Sequence, residues 1–420
     1  MLSAIYRRFS VLPIFVATLL VNCGSDEPSD APALNEGVTV SAVRIGNIDL
    51  LLQEPIKEIV RAYLQQIEMD YDVILNNLDE LQSQVVIFLD DPTTASINNV
   101  RSAWLMAHNA YELSSLHRYF ANLVLSEEES LLLFQLQYRM NHWPILPGYI
   151  DYVEGFTDSG IVQDITVPLS IPSLQEQHGV FDLAEASLGF HVIEFLLWGE
   201  NLDKRSPRPV SDYQVVTQLG PVQVEEGLEL DQLSNNRRRQ LLLLNTQSLV
   251  DDFNTMRLRW LAGSDRFSSS LNNLDSGELL AMVIEAMTGM LTQELLVRSL
   301  YPLLNGEYVD SIQSPFSHST QNAVSAQLTS VERLLLDSSS AQGTRLDSIL
   351  SSLSSDFEEL FYQNFDASKE CLVLFYSTRE NPVDQNTAAS TEFVIVECIN
   401  LLTNMIDHLE QIKVSLFELI

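Results

Sequence analysis

Between Ile56 and Val85 the apolar residues fall three and four positions apart: Ile56, Ile59, Val60, Tyr63, Leu64, Ile67, Tyr71, Ile74, Leu78, Leu81 and Val85. A half-buried strand would repeat at every second residue. Steps of three and four instead place these side chains on one stripe of a long helix. An amphipathic helix of this length must lay its stripe against other helices, so the segment points to an all-α fold. Pro55 fits the first turn of such a helix, and Pro92 follows its end.

The rest of the chain repeats the pattern. A second helix carries Val100, Trp104, Ala107 and Tyr111, with Asn98 or Asn99 as its expected cap. A third runs from about Glu127 to Met140, before Pro144 and Pro147 interrupt the pattern. Residues 157–177 read as loop, and a short helix is expected from about Leu183 to Leu197. Asn236–Trp260 and Leu279–Leu304 are long helical stretches, the second ended by Asn305-Gly306. Ser-rich amphipathic stretches at 323–336 and 345–365 follow, and 391–417 closes the chain. Only Val38–Val43 and Tyr213–Val224 read as extended. The expectation is an all-α protein of two helix-bundle domains, 41–210 and 211–420, with the boundary near residues 200–225.

The first residues set the expected location. Residues 1–22 contain Arg7 and Arg8, an apolar run from Val11 to Val21, and no acidic residue. That is a charged region followed by an apolar core too short to span a bilayer, the form of a signal peptide. Leu20-Val21-Asn22-Cys23 resembles a bacterial lipobox, which makes Cys23 the lipidation site; the alternative is an ordinary signal peptide with an incidental cysteine. Residues 23–40 then form a tether rich in Ser, Asp, Pro and Glu. The protein is therefore expected at the cell envelope, lipid-anchored to the outer membrane and facing the periplasm. Cys371 and Cys398 remain as a pair for which a disulfide is allowed there.

The formal charge is −34, and loss of Arg7 and Arg8 with the signal lowers it by two more. Such a chain repels nucleic acid and anionic headgroups, and it can gather cations. The same charge also serves solubility alone.

One segment carries candidate chemistry, Leu188-Gly189-Phe190-His191-Val192-Ile193-Glu194-Phe195-Leu196-Leu197-Trp198-Gly199. His191 and Glu194 are three residues apart and leave one helix face. Together they can share a divalent cation, act as an acid–base pair, or hydrogen-bond to each other as a structural fastening. All other side chains of the segment are apolar, so the two groups need each other or a ligand. Gly189 allows close approach of another backbone or a ligand. His-Glu-x-x-His, Gly-x-Ser-x-Gly and P-loop patterns are absent from the sequence. Arg237-Arg238-Arg239 reads as a solvated or salt-bridged helix start, and the four tryptophans as core.

The segment resembles the G-x-H-x-x-E signature of the imelysin-like family. Further blocks agree in order: Ala103-Trp104 through Tyr111-Glu112, Asn141-His142-Trp143-Pro144 with Tyr149-Ile150-Asp151-Tyr152, Asn236-Arg237-Arg238-Arg239, and Glu294-Leu295 with Arg298, Glu307 and Ser314-Pro315-Phe316-Ser317. The resemblance spans roughly residues 45–420. It implies a duplicated four-helix-bundle architecture and three readings of function. The first is an envelope protein that binds a divalent or ferric metal ion, iron or zinc, through His191 and Glu194, with Glu112 or His108 as further ligands. The second is a metallopeptidase with His191 and Glu194 as its catalytic pair. The third is a structural protein with a non-catalytic His–Glu pair. Gly189, Trp143, Asp151, Glu294 and Arg298 are supporting motif residues in this resemblance. The chain departs from the family at His108, where relatives often carry Arg, at Ser115, where they carry Glu, and at Leu146-Pro147, where they carry Asp-Glu. A metal ion or small ligand and the membrane are the expected partners, with no nucleic acid.

Overall fold

The computed structural model describes residues 51–201, 206–305, 312–379 and 388–417. The signal, Cys23, the tether and Val38–Val43 lie outside them. Residues Ile45–Ile420 form one compact unit, and the expected boundary near 200–225 falls inside it.

The leading helix, α1 (Gln53–Asp90), buries all eleven residues of its apolar stripe. Next come α2 (Thr94–Leu113), α3 (Ser115–Val124) and α4 (Glu127–Asn141). The cap of α2 is Thr93 and not Asn98 or Asn99: Thr93 Oγ1 accepts from the Ser96 N–H (3.1 Å), and Ser96 Oγ accepts from the Thr93 N–H (3.0 Å). This reciprocal pair satisfies two amides that the asparagines, already inside the helix, cannot serve. Ser126 and Glu129 repeat the arrangement at α4.

Three short helices follow: α5 (Pro147–Ile150), α6 (Ile171–Gln177) and α7 (Phe190–Trp198). Two of these differ from the sequence expectation. α6 lies in a stretch that reads as loop, started by Ser170 accepting from the Ser173 N–H. α7 begins seven residues later than expected, because Gly189 has φ +108°, a left-handed conformation that no helix contains.

Tyr213–Val224 is not a strand. It holds the end of a 3₁₀ turn (Val210–Tyr213), irregular chain, and α8 (Pro221–Glu225) started by its own proline. No strand occurs among the described residues, only two isolated bridges.

The second half contains α9 (Ser234–Ser270) and α10 (Ser276–Met290), which continues through a π-helical segment (Leu291–Leu300) into α11 (Tyr301–Leu304). The chain closes with α12 (Thr320–Leu336), α13 (Leu346–Leu353), a π turn at Glu358–Tyr362, α14 (Gln363–Arg379) and α15 (Ala388–Ser415). A Cys371–Cys398 disulfide joins α14 to α15.

The two halves interleave. α1 packs on α2 and α9, α2 on α12, and α3 on α10, while α14 and α15 pair with each other. α7 sits where α2, α4 and α9 meet it. All nine of its residues are buried, as befits a helix apolar on every side. His191 and Glu194 therefore lie in the core and not on a surface.

Candidate functional site

Two helices supply the polar residues at the centre. His108 and Glu112 are one turn apart on α2, and His191 and Glu194 one turn apart on α7. Trp104 Nε1 donates to the Phe190 carbonyl (2.9 Å), and Arg101 donates to the Leu197 carbonyl (2.8 Å). These bonds fix both ends of α7 against α2. Gly189 closes the third side: a Cβ there would lie 2.5 Å from the Arg139 carbonyl oxygen and 2.6 Å from that of Met140. Only glycine lets α7 approach the end of α4 so closely.

His191 Nδ1 and Glu194 Oε2 share a hydrogen bond of 2.9 Å. The other carboxylate oxygen, Oε1, accepts from the amides of Phe316 (3.1 Å) and Ser317 (2.7 Å) and from the Ser317 hydroxyl (2.7 Å). Glu194 thus ties α7 to the loop that precedes α12. Burial raises its carboxyl to about 7, against the lowering effect of the Ser317 and Phe316 donors. Burial likewise lowers the His191 imidazole to about 3.

Glu112 is the opposite case. Burial pushes it upward, but Arg118, His108 and amide donors outweigh that and hold the carboxyl at about 2. Its Oε1 accepts from Asn141 Nδ2 (2.7 Å) and Gln313 Nε2 (2.8 Å). Its Oε2 accepts from Gln327 Nε2 (2.8 Å) and Ser115 Oγ (3.1 Å). Ser115 is here a donor to the acid one turn earlier.

His108 stacks on Trp104 with ring centroids 4.8 Å apart and meets His191 edge-on at 5.2 Å. Its Nε2 lies 3.5 Å from Glu112 Oε1. Burial, opposed by the Glu112 charge, lowers its imidazole to about 4. Both rings are therefore neutral near pH 7. The Nε2 atom of His191 is buried without a hydrogen-bond partner; that of His108 makes no bond of full geometry, although Glu112 and Asn141 both face its ring.

Those two nitrogens decide what the site can hold. A neutral imidazole with a free lone pair is a metal donor. The carboxyl groups are not free: both oxygens of Glu112 and Glu194 Oε1 accept from protein donors, and Glu194 Oε2 shares a hydrogen bond with His191 Nδ1. Among the described residues no three His, Cys, Asp or Glu side chains are grouped to hold a metal ion. The two imidazoles supply at most two nitrogen donors. They do not fit a catalytic zinc centre, which uses three protein ligands and one open position.

The remaining sequence candidates separate into two groups. Asp151 does not join the centre. It is buried between Arg208 (2.8 Å) and Arg238 and anchors the start of α9 to the loop after α5. Of the two expectations for the basic cluster, solvated or salt-bridged, Arg238 meets the second, and Arg237 and Arg238 are buried. Arg237 donates to four loop carbonyls, those of Ile161, Val162, Asp164 and Val167, and Arg239 to those of Leu89 and Tyr213. Trp143, Glu294 and Arg298 instead line a cleft of about 590 Å³ beside the centre, and Asn141, which donates to Glu112, lines it too. Gln313 and Gln327 have no mark in the sequence, because a lone glutamine in a loop or a Ser-rich helix looks like any surface residue. Ser317 and Asn141 lie inside blocks that resemble the family.

The model of the imelysin family matches residues 67–392. No curated protein is a significant match to the sequence. Among solved structures, a crystal structure from Parabacteroides distasonis, described as an iron-regulated protein A precursor, is similar, with a TM-score of 0.61 and 13% identity. The match covers 86% of this chain and 94% of that one. At that identity the likeness concerns the fold alone, and it agrees with the all-α architecture. The family match spans most of the chain and includes both helices of the central site, and on that ground the chain belongs to the imelysin family.

Proposed function

We propose that this protein is a lipid-anchored envelope protein that binds a metal ion weakly at the buried His108–His191 pair, and that it is not a peptidase. The observation that carries this reading is the pair of buried imidazole nitrogens that make no hydrogen bond of full geometry. Leaving one buried polar atom unpaired costs on the order of 1–3 kcal/mol, so two neighbouring ones favour a shared occupant. Iron is the ion of choice, because the similar fold from Parabacteroides distasonis is described as iron-regulated. Glu112, already ionised at His108, supplies the compensating negative charge. Export and anchoring at Cys23 rest on the sequence, and the Cys371–Cys398 disulfide agrees with an oxidising compartment.

The peptidase reading is disfavoured by access. His191 and Glu194 are 1% and 0% exposed, so a polypeptide backbone reaches neither. Both Glu194 oxygens are also already engaged, Oε2 by His191 Nδ1 and Oε1 by Phe316 and Ser317.

The test is calorimetric titration of the mature protein with ferrous and zinc ions. One weak site is expected in the wild type, lost in His191→Ala and in His108→Ala. Metal-dependent heat unchanged by both substitutions, or absent from the wild type, would overturn the reading. Incubation of the metal-loaded protein with unfolded polypeptide completes the test. Chelator-sensitive cleavage that disappears in Glu194→Ala would restore the peptidase.

A further inference from the structure

The cleft beside the centre is walled by α3, α4, the His142-Trp143 turn and the π-helical segment Leu291–Leu300. Its volume, about 590 Å³, lies within the range of small-molecule sites and far exceeds the needs of a bare ion.

Four observations describe what it would take. Tyr111, Tyr119, Phe134, Tyr138 and Trp143 give it flat apolar walls. Phe134 and Leu183, at the rim, are 64% and 63% exposed, a large apolar surface for a site with nothing over it. The wall that carries Glu294 and Arg298 is π-helical, a backbone form that is rare and concentrated at functional sites. Trp143 is itself only 4% exposed, and its Nε1 has no hydrogen-bond partner; the same holds for Gln137 Nε2 on a neighbouring lining residue.

Charge decides the class. The chain has 57 acidic and 23 basic residues, yet the charged lining of this cleft is Arg118, Arg298 and Glu294. Glu294 is already matched, with one oxygen accepting from Tyr119 OH and the other from Arg298 Nη1, both at 2.9 Å. Arg298 lies 4.6 Å over the Trp143 ring, and its guanidinium has no other protein acceptor among the described residues. A guanidinium seated over an indole, with N–H groups to spare, suits a carboxylate attached to a planar ring.

We propose that this cleft is a binding site for a small planar carboxylate, its ring among the aromatic walls and its carboxylate on Arg298. The site is separate from the metal reading and is tested without metal.

The experiment is calorimetry on the mature protein in chelator, with 2-naphthoate as the probe and 2-naphthylmethanol as its neutral counterpart. Saturable binding of the anion is expected, with the alcohol at least about tenfold weaker, as the loss of one charge-assisted contact implies. Arg298→Gln should weaken naphthoate to the same degree. Phe134→Ser, at an exposed rim position where the fold is not at stake, should weaken both probes. A melting curve for each variant reports whether it is folded. Absence of saturable binding, equal affinity for the two probes, or affinity indifferent to both substitutions would overturn the proposal.

Discussion

Glu112 and Glu194 are both fully buried carboxyl groups, yet their surroundings drive them in opposite directions. Glu112 has donors on each oxygen with Arg118 close by, so it stays ionised down to about pH 2. Glu194 has no cation among its leading influences other than His108, a ring that is itself held neutral, and burial prevails. The difference has a consequence for stability. His108 and His191 stay neutral in the fold, near 4 and 3, while their unfolded counterparts take up protons below about 6.5. Their contribution is present above that pH and is lost as pH falls. Glu194 has the reverse sign: it keeps its proton in the fold up to about 7, so its contribution fades as pH rises from about 4.5. Between about pH 5 and 6.5 two groups oppose one, and the unfolding free energy should rise with pH by about 1.4 kcal/mol per unit. His142 and His178, also lowered by burial, add to the rise. Urea unfolding at half-unit steps of pH checks the slope. In a His108→Gln, His191→Gln double variant the slope should fall by up to about 2.7 kcal/mol per unit. A slope that both proteins share would mean that these rings are not held neutral in the fold.

The elements of this protein were legible in the sequence wherever periodicity alone builds them. The stripe of α1 emerged residue for residue from its apolar spacing, and α4 nearly end to end; α9 runs ten residues beyond the expected Trp260, and the expected Leu279–Leu304 helix changes register after Met290. Boundaries set by a single backbone conformation were not legible. The start of α7 depends on the left-handed φ of Gly189, and the start of α2 on two side chains that bond each other across Thr93–Ser96. The π-helical segment left no trace either, because a shift of the hydrogen-bond register does not change which residues are apolar. Gly189 and Gly227 separate the two causes that demand a glycine. Both have positive φ, at +108° and +73°. A Cβ at Gly227 meets nothing within 4 Å, whereas at Gly189 it strikes two backbone carbonyls. Gly227→Ala should therefore cost about 1–2 kcal/mol, the conformational term alone. Gly189→Ala should cost at least about 3 kcal/mol or prevent folding, since backbone must move. Thermal melts of the two variants provide the comparison, and equal losses would show that packing at α7 is looser than the structure has it.

At the scale of the whole molecule the site is an assembly of distant pieces. His108 and Glu112 come from α2, His191 and Glu194 from α7, and Gln313, Ser317 and Gln327 from beyond residue 312. The sequence marked the first four, because the i, i+3 spacing of His191 and Glu194 and the family blocks around His108 and Glu112 point to them. It could not show that the carboxylates are spent on amides and hydroxyls, since a glutamine or serine brought in from more than a hundred residues away has no local pattern. Nor could it separate the cleft from the centre, as Trp143, Glu294 and Arg298 resemble the family in the same run of motifs.

The burial of the histidine pair bears on time as well as on affinity. His108 and His191 are 2% and 1% exposed, so an ion in solvent never collides with either ring. On the proposed metal reading, capture has to wait for the helices and the Phe316–Ser317 loop to part, and it then competes with their closing. The observed association rate should accordingly level off as ion concentration rises, at the rate of that opening, where an exposed site would respond linearly up to the diffusion range. Stopped-flow mixing with a metal whose binding changes tryptophan emission from Trp104 follows the process directly. Linear dependence throughout would mean that a path to the pair stands open. With a plateau, release is equally slow, and a weakly bound ion would be held for longer than its affinity suggests.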